Sequence, residues 1–274
     1  MIHTIPQSRV WQAKNLVAAW GPREAEFRGV SFEISSGEKV ALLSDKATTR
    51  TLLLRVLTGL QPRREGNLEI LGYPVEVLPI SADWEQIIPS TLRRRIGVCL
   101  ENEGLLSNVT VREGLELLFR FKYGDHTEKL REGARKVVVS TAETFGILSV
   151  LDQRPNFLNS TERRLAGLAR AYLSKPHVLA FESPTKGVSD KTRNDFYRIF
   201  ESMVQDQSRT FLVATDDWVF ARKFCDRWIV LESGDLIFDG KPDHFLKQKS
   251  HFTEEIKALA TYSKTIDALI KEIA

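Results

Sequence analysis

The chain has 274 residues, of which 42% are hydrophobic and 27% charged, and its 39 Lys+Arg against 36 Asp+Glu leave a formal net charge of +3. These are globular values that exclude disordered, collagen-like and low-complexity classes, and the charge is too small to argue for a nucleic-acid partner. No apolar run reaches the ~18–20 residues that span a bilayer, and the start, Met1-Ile2-His3-Thr4-Ile5-Pro6, lacks the basic and apolar regions of a secretory leader, so a cytoplasmic protein is expected.

Residues 10–19 and 28–34 read as strands, and Lys39-Val40-Ala41-Leu42-Leu43 as a short buried strand. A helix is expected over 50–59, with Leu53, Leu54 and Leu57 on one face and Gly59 near its end. Strands follow at 67–71 and 96–100. From about 110 to 175 the pattern is mainly helical, with helices at 111–121, 127–145 and 161–173. The apolar runs 178–181 and 210–214 each follow a helix, and a β-rich edge at 226–239 turns at Gly234. This order predicts an α/β fold with parallel core strands, an antiparallel β edge and an inserted helical block. Residues 252–273 read as a final helix whose stripe, Ile256, Leu259, Ile266, Ile270 and Ile273, needs an apolar partner in this domain or in another subunit. Cys99 and Cys225 lack metal-ligand spacing and sit among apolar residues, so buried free thiols are expected.

The segment Ser44-Asp45-Lys46-Ala47-Thr48-Thr49-Arg50-Thr51 joins a buried strand to a helix. In the phosphate-binding pattern G-x-x-x-x-G-K-[ST], glycines let the backbone approach the anion, the lysine reaches the β/γ oxygens and the hydroxyl holds Mg²⁺. Only Thr51 matches, so this segment alone is an ordinary strand–loop–helix. A second stretch is more specific. Leu158-Asn159-Ser160-Thr161-Glu162-Arg163, the run Leu168-Ala169-Arg170-Ala171, and then Pro176, Pro184-Thr185 and Gly187 follow without a gap. They resemble the signature L-S-G-G-Q, the following helix and the D-E-P-T-S-G-L-D strand of the ATP-binding subunits of ABC transporters. Further stretches come in that family's order: Ile96 to Glu101, Thr110 to Leu115, Thr215-Asp216-Asp217, and Asp226-Arg227 to Gly240.

The resemblance implies a P-loop NTPase-like ABC ATPase domain over 9–247, with a helical subdomain at about 104–175 and a C-terminal helical extension at 248–274. It places Trp20, Ser44, Thr49, Arg50 and Thr51 at nucleotide-binding positions, and Asn159, Ser160, Thr161 and Glu162 at the signature. It also implies that every catalytic position has departed. Glu101 stands for the Q-loop glutamine, Glu182 for the Mg²⁺-binding aspartate, Ser183 for the catalytic glutamate, Asp216 for the switch histidine, and Ser189, beside Asp190, for the D-loop aspartate. A serine hydroxyl cannot serve as a general base near neutral pH. Thr49 disfavours the positive φ that glycine supplies. Arg50 is a larger planar fork than lysine. The expectation is a pseudo-ATPase with no catalytic residue and no cofactor or metal. If ATP and Mg²⁺ are retained at all, Thr51 and Glu182 are the metal ligands. The implied partners are a transmembrane permease, whose coupling helix would dock near 101–109 with Leu105 and Leu106, and a second ABC ATPase in a homo- or heterodimer. The protein would then be peripheral on the cytoplasmic membrane face, with no nucleic acid. Two alternatives stand beside this reading: a divergent active ATPase, and a soluble ABC-type binding module without a permease.

Overall fold

The computed structural model describes residues 9–78, 87–124, 127–206 and 208–247. In chain order the strands are β1 (Arg9–Ala18), β2 (Phe27–Ser35), β3 (Lys39–Ser44), β4 (Glu65–Ile70), β5 (Tyr73–Val75), β6 (Ile96–Cys99), β7 (Val178–Glu182), β8 (Thr210–Ala214), β9 (Arg227–Glu232) and β10 (Asp235–Gly240). The helices are α1 (Ala47–Leu57), α2 (Ser90–Arg93), α3 (Val111–Tyr123), α4 (Glu128–Thr144), α5 (Ser160–Tyr172), α6 (Asp190–Val204), α7 (Trp218–Phe224) and α8 (Pro242–Lys247). They fall into two units, one built from residues up to 92 and from 210 onward, the other from 93–209.

In the first unit β2, β1, β4 and β5 form an antiparallel sheet in that order. Strand β3 lies parallel to β8, from Lys39↔Phe211 to Leu42↔Ala214, and parallel to β9, from Val40↔Arg227 to Ser44↔Leu231. Its Val40, Ala41, Leu42 and Leu43 are fully buried, the pattern of a strand covered on both faces. The predicted antiparallel edge is the β9–β10 hairpin. Helix α1 buries Leu52, Leu53, Leu54, Val56 and Leu57, and its last carbonyl is taken by the Trp11 indole, whose Nε1 donates to Leu57 O at 2.7 Å. Trp218, Trp228 and Phe245 pack as tilted and edge-to-face rings with centroids 5.2–5.7 Å apart.

The second unit pairs β6 with β7 in parallel, from Ile96↔Val178 to Cys99↔Phe181. Phe181 meets Phe200 of α6 edge-on at 5.4 Å. Each helix of the inserted block starts on a side-chain cap: Thr110 with Glu113 and Asn159 with Glu162 close capping boxes, and Thr127 accepts from Leu130 N. The three expected helices therefore form within two residues of their predicted ends.

One expectation is corrected. The helix predicted from residue 50 begins at Ala47, so five of the eight residues of the supposed loop 44–51 are helical. With alanine and threonines in place of glycine, the chain keeps right-handed helical dihedrals. Strand β5 and helices α2, α7 and α8 are short and left no periodic signal in the sequence. The predicted helix at 252–273 lies outside the described residues. Among the described residues no helix is long and apolar enough to cross a membrane.

Cys99 and Cys225 are buried free thiols, as expected. Burial pushes the Cys99 thiol up to about 11, against the opposing pull of Arg164 and Arg170, and also raises that of Cys225. Both stay protonated at pH 8, so a disulfide reagent should titrate neither thiol in the folded protein and both in denaturant; fast reaction under native conditions would contradict this packing.

Candidate functional site

The candidate residues divide between the two units. In the first, β3 delivers the chain to Ser44, which is buried, and α1 begins three residues later. No residue from 44 to 51 has a positive φ. An anion-binding nest needs successive N–H groups turned to one side by alternating right- and left-handed or turn dihedrals, and the helical part of this segment lacks that alternation.

The polar groups of the segment are taken up by carboxylates of the same unit. The Asp45 carboxylate accepts from Lys46 N at 3.0 Å, from the Ser44 hydroxyl at 2.9 Å and from Ser233 N at 3.2 Å. The Glu26 carboxylate accepts from the hydroxyls of Thr48 and Thr49, at 3.1 and 3.3 Å, on the first turn of α1. That turn carries no acidic residue of its own, so Glu26 supplies the negative charge that a helix N-terminus favours. Arg50, 6% exposed, donates through Nη2 to Asp216 Oδ2 at 2.7 Å. Trp20 donates its indole N–H to Thr48 O at 3.3 Å, and the Arg55 guanidinium sits over its ring at 5.3 Å. Trp20, Thr49, Arg50 and Asp216 are thus gathered around the start of α1, and Thr51 follows on the same helix.

In the second unit Glu182 ends β7 buried, and its carboxylate accepts from Glu101 N at 3.1 Å. The Glu101 carboxylate is paired with Lys186. Ser183 follows with φ 45°, a left-handed dihedral that only a small fraction of non-glycine residues adopt. At the start of α5 the Asn159 side chain accepts from Glu162 N and the Glu162 carboxylate accepts from Asn159 N, both at 2.9 Å. Thr161, buried, shares hydroxyl contacts with Thr192 and accepts from Ser189 N. The signature-like residues are therefore engaged with one another and with the residues that open α6.

Sequence reasoning missed Asp45, Glu26, Arg55, Lys186 and Arg164. The first four read as ordinary surface charges. Arg164 had one available signal, a second arginine beside Arg163 at the head of an apolar helix. Among the described residues no cluster of His, Cys, Asp and Glu is arranged to hold a metal ion.

Comparison with known proteins gives one consistent result. The ABC transporter family matches residues 27–186. A Nod factor export ATP-binding protein I of Rhizobium sp. is 29% identical over 220 residues, 80% of this chain and 67% of that protein. A phosphonates import ATP-binding protein of Rhodopseudomonas palustris is 26% identical over 221 residues, 79% of each. In structure, the ATP-binding cassette MJ0796, solved as a dimer in a post-hydrolysis state bound to ADP and Pi, superposes with a TM-score of 0.73 at 22% identity, covering 84% of this chain and 98% of that one.

The Arg50–Asp216 pair should show a measurable coupling in a double-mutant cycle. Asp216 is 67% exposed, so solvent screening limits Asp216→Asn to a loss of about 0.5–1 kcal/mol in urea unfolding. Arg50→Met should cost less in the Asp216→Asn background than in the wild type. Strictly additive losses would show that the pair carries no interaction energy.

Proposed function

The chain belongs to the ABC transporter family, and we propose that it acts there as a pseudo-ATPase, a non-catalytic scaffold or regulator in a membrane transport complex. The observation that carries this reading is the occupation of the phosphate-loop positions by the chain's own groups. Arg50, at the position where the family's lysine would meet phosphate, is paired with Asp216. The amide of Lys46 is taken by Asp45, and α1 winds through residues that a phosphate nest would keep open. Three acids, Glu26, Asp45 and Asp216, stand where a triphosphate would add more negative charge, so the residues present fit it poorly. In the second unit, Ser183 offers no base and Glu162 brings a carboxylate to the start of α5.

The second unit carries a feature suited to a partner. An apolar groove of about 220 Å³ is lined by Leu105, Leu106, Leu115, Leu118, Phe121 and Arg170, among others. Leu106 is 47% and Phe121 72% exposed, which leaves apolar surface that association would cover. In this reading a short apolar helix of a permease subunit docks there, at the cytoplasmic membrane face, and the chain pairs with a second ATP-binding subunit of the same or another kind.

Equilibrium binding of labelled ATP with Mg²⁺, run beside phosphate release, tests the reading. The expected outcome is affinity weaker than about 1 mM and no turnover above the blank. Low-micromolar binding with turnover abolished by Thr51→Ala would instead establish a divergent active ATPase. Phe121→Ser, on the groove, should weaken capture of a co-expressed permease by about tenfold, in line with the loss of one buried aromatic anchor.

A further inference from the structure

The second unit holds a buried cation that the ATPase chemistry does not use. Arg164 lies on the inner face of α5, and its side chain is 2% exposed. Its Nη1 donates to Leu100 O at 3.2 Å, its Nη2 to Glu101 O at 2.9 Å and its Nε to Lys186 O at 3.2 Å. The same Nη2 lies 3.2 Å from Glu103 Oε1, a carboxylate that is itself 15% exposed. Six residues on, Arg170 donates through Nη2 to Val98 O at 2.7 Å and through Nε to Glu103 O at 3.2 Å. The backbone carbonyls of Val98, Leu100, Glu101 and Glu103 are thus all held by guanidinium groups of one helix. Such hydrogen bonds are charge-assisted, and the planar fork sets their direction as well as their strength.

The backbone is shaped around these forks. Glu103 and Gly104 both have positive φ, at 57° and 65°, and a Cβ at Gly104 would come 3.0 Å from Arg170 Nη2. Gly167 lets the helix approach, since a Cβ there would meet the Glu103 Cβ at 2.7 Å. A glutamate in the left-handed region persists only where its surroundings over-determine it.

The held segment ends at Gly104, and Gly104, Leu105 and Leu106 form one wall of the apolar groove, with Arg170 also lining it. We propose that Arg164 and Arg170 lock the 98–104 segment to α5 independently of nucleotide, so that the groove stands permanently formed for its partner. Arg164 is a positioning residue: it touches no reacting group and acts through the segment it holds. The inference rests on reading the groove as the partner site.

Hydrogen–deuterium exchange of the full-length chain tests it. Peptides covering 98–104 should exchange slowly and at the same rate with and without MgATP. Arg164→Lys keeps the charge but loses the fork, and should speed exchange there by about tenfold or more while strand β3 keeps its protection. Glu103→Gln leaves the carbonyl bonds in place and should give a smaller increase, which covers the case in which the Arg164 variant does not fold. Unchanged exchange in Arg164→Lys, or MgATP-dependent protection of 98–104 in the wild type, would overturn the lock. The outcome is separable from the pseudo-ATPase reading. ATP turnover with unchanged exchange at 98–104 supports the lock and removes that reading, and unchanged exchange in Arg164→Lys without ATP binding does the reverse.

Discussion

A buried parallel strand has to hand its chain directly to a helix, and here it does so without a glycine. Strand β3 is flanked by β8 as far as Leu42 and by β9 as far as Ser44, so its end is fixed in space. The next residues have only the dihedrals that side-chain-bearing residues favour, and they turn at once into α1. Everything around the site follows from that early start. Thr48 and Thr49 arrive on a helical first turn where Glu26 can reach both hydroxyls, and Arg50 arrives within reach of Asp216.

The consequence is that the charged groups of each unit are balanced from within that unit. In each unit a cationic or N–H-bearing group that an external anion would approach already faces a carboxylate: Arg50 with Asp216, the Lys46 amide with Asp45, Lys186 with Glu101, and the start of α5 with Glu162. None of these contacts is strong alone, because most of the acids are exposed to solvent. Together they give the cationic and N–H-bearing groups of each unit internal partners, which is the ground on which the pseudo-ATPase reading is proposed. The scaffold and the site are held by different forces, apolar burial in β3, α1 and α5 and polar contacts around α1, so one can persist as the other drifts.

The long elements were legible in the sequence because burial writes a period. Helices α3, α4 and α5 stand where helical spacing put them, and strands β3, β7 and β8 where short unbroken apolar runs put them. The early start of α1 was not, because the segment 44–51 invited comparison with a loop that its residue types no longer support. The positions of Thr49, Arg50 and Asp216 could be read from motif order, but their partners could not. Glu26 and Asp45 come to α1 through strand pairing and a turn that no local pattern records. Arg164 was invisible for a related reason: a second arginine at the start of a helix reads as solvated surface, and only the tertiary packing of α5 on the 98–104 segment makes it the most buried cation described.

The two arginine devices differ in one property that follows from depth. The Arg50–Asp216 pair has one arm in water, where mobile ions gather around the carboxylate and weaken it within a Debye length of about 10 Å at 0.1 M salt. Arg164 has no such arm. Its donors end on carbonyls and on a carboxylate that solvent barely reaches, so dissolved ions have no path to compete. Raising ionic strength therefore loosens the start of α1 and leaves the 98–104 segment as it was, so that salt acts on one unit and spares the other.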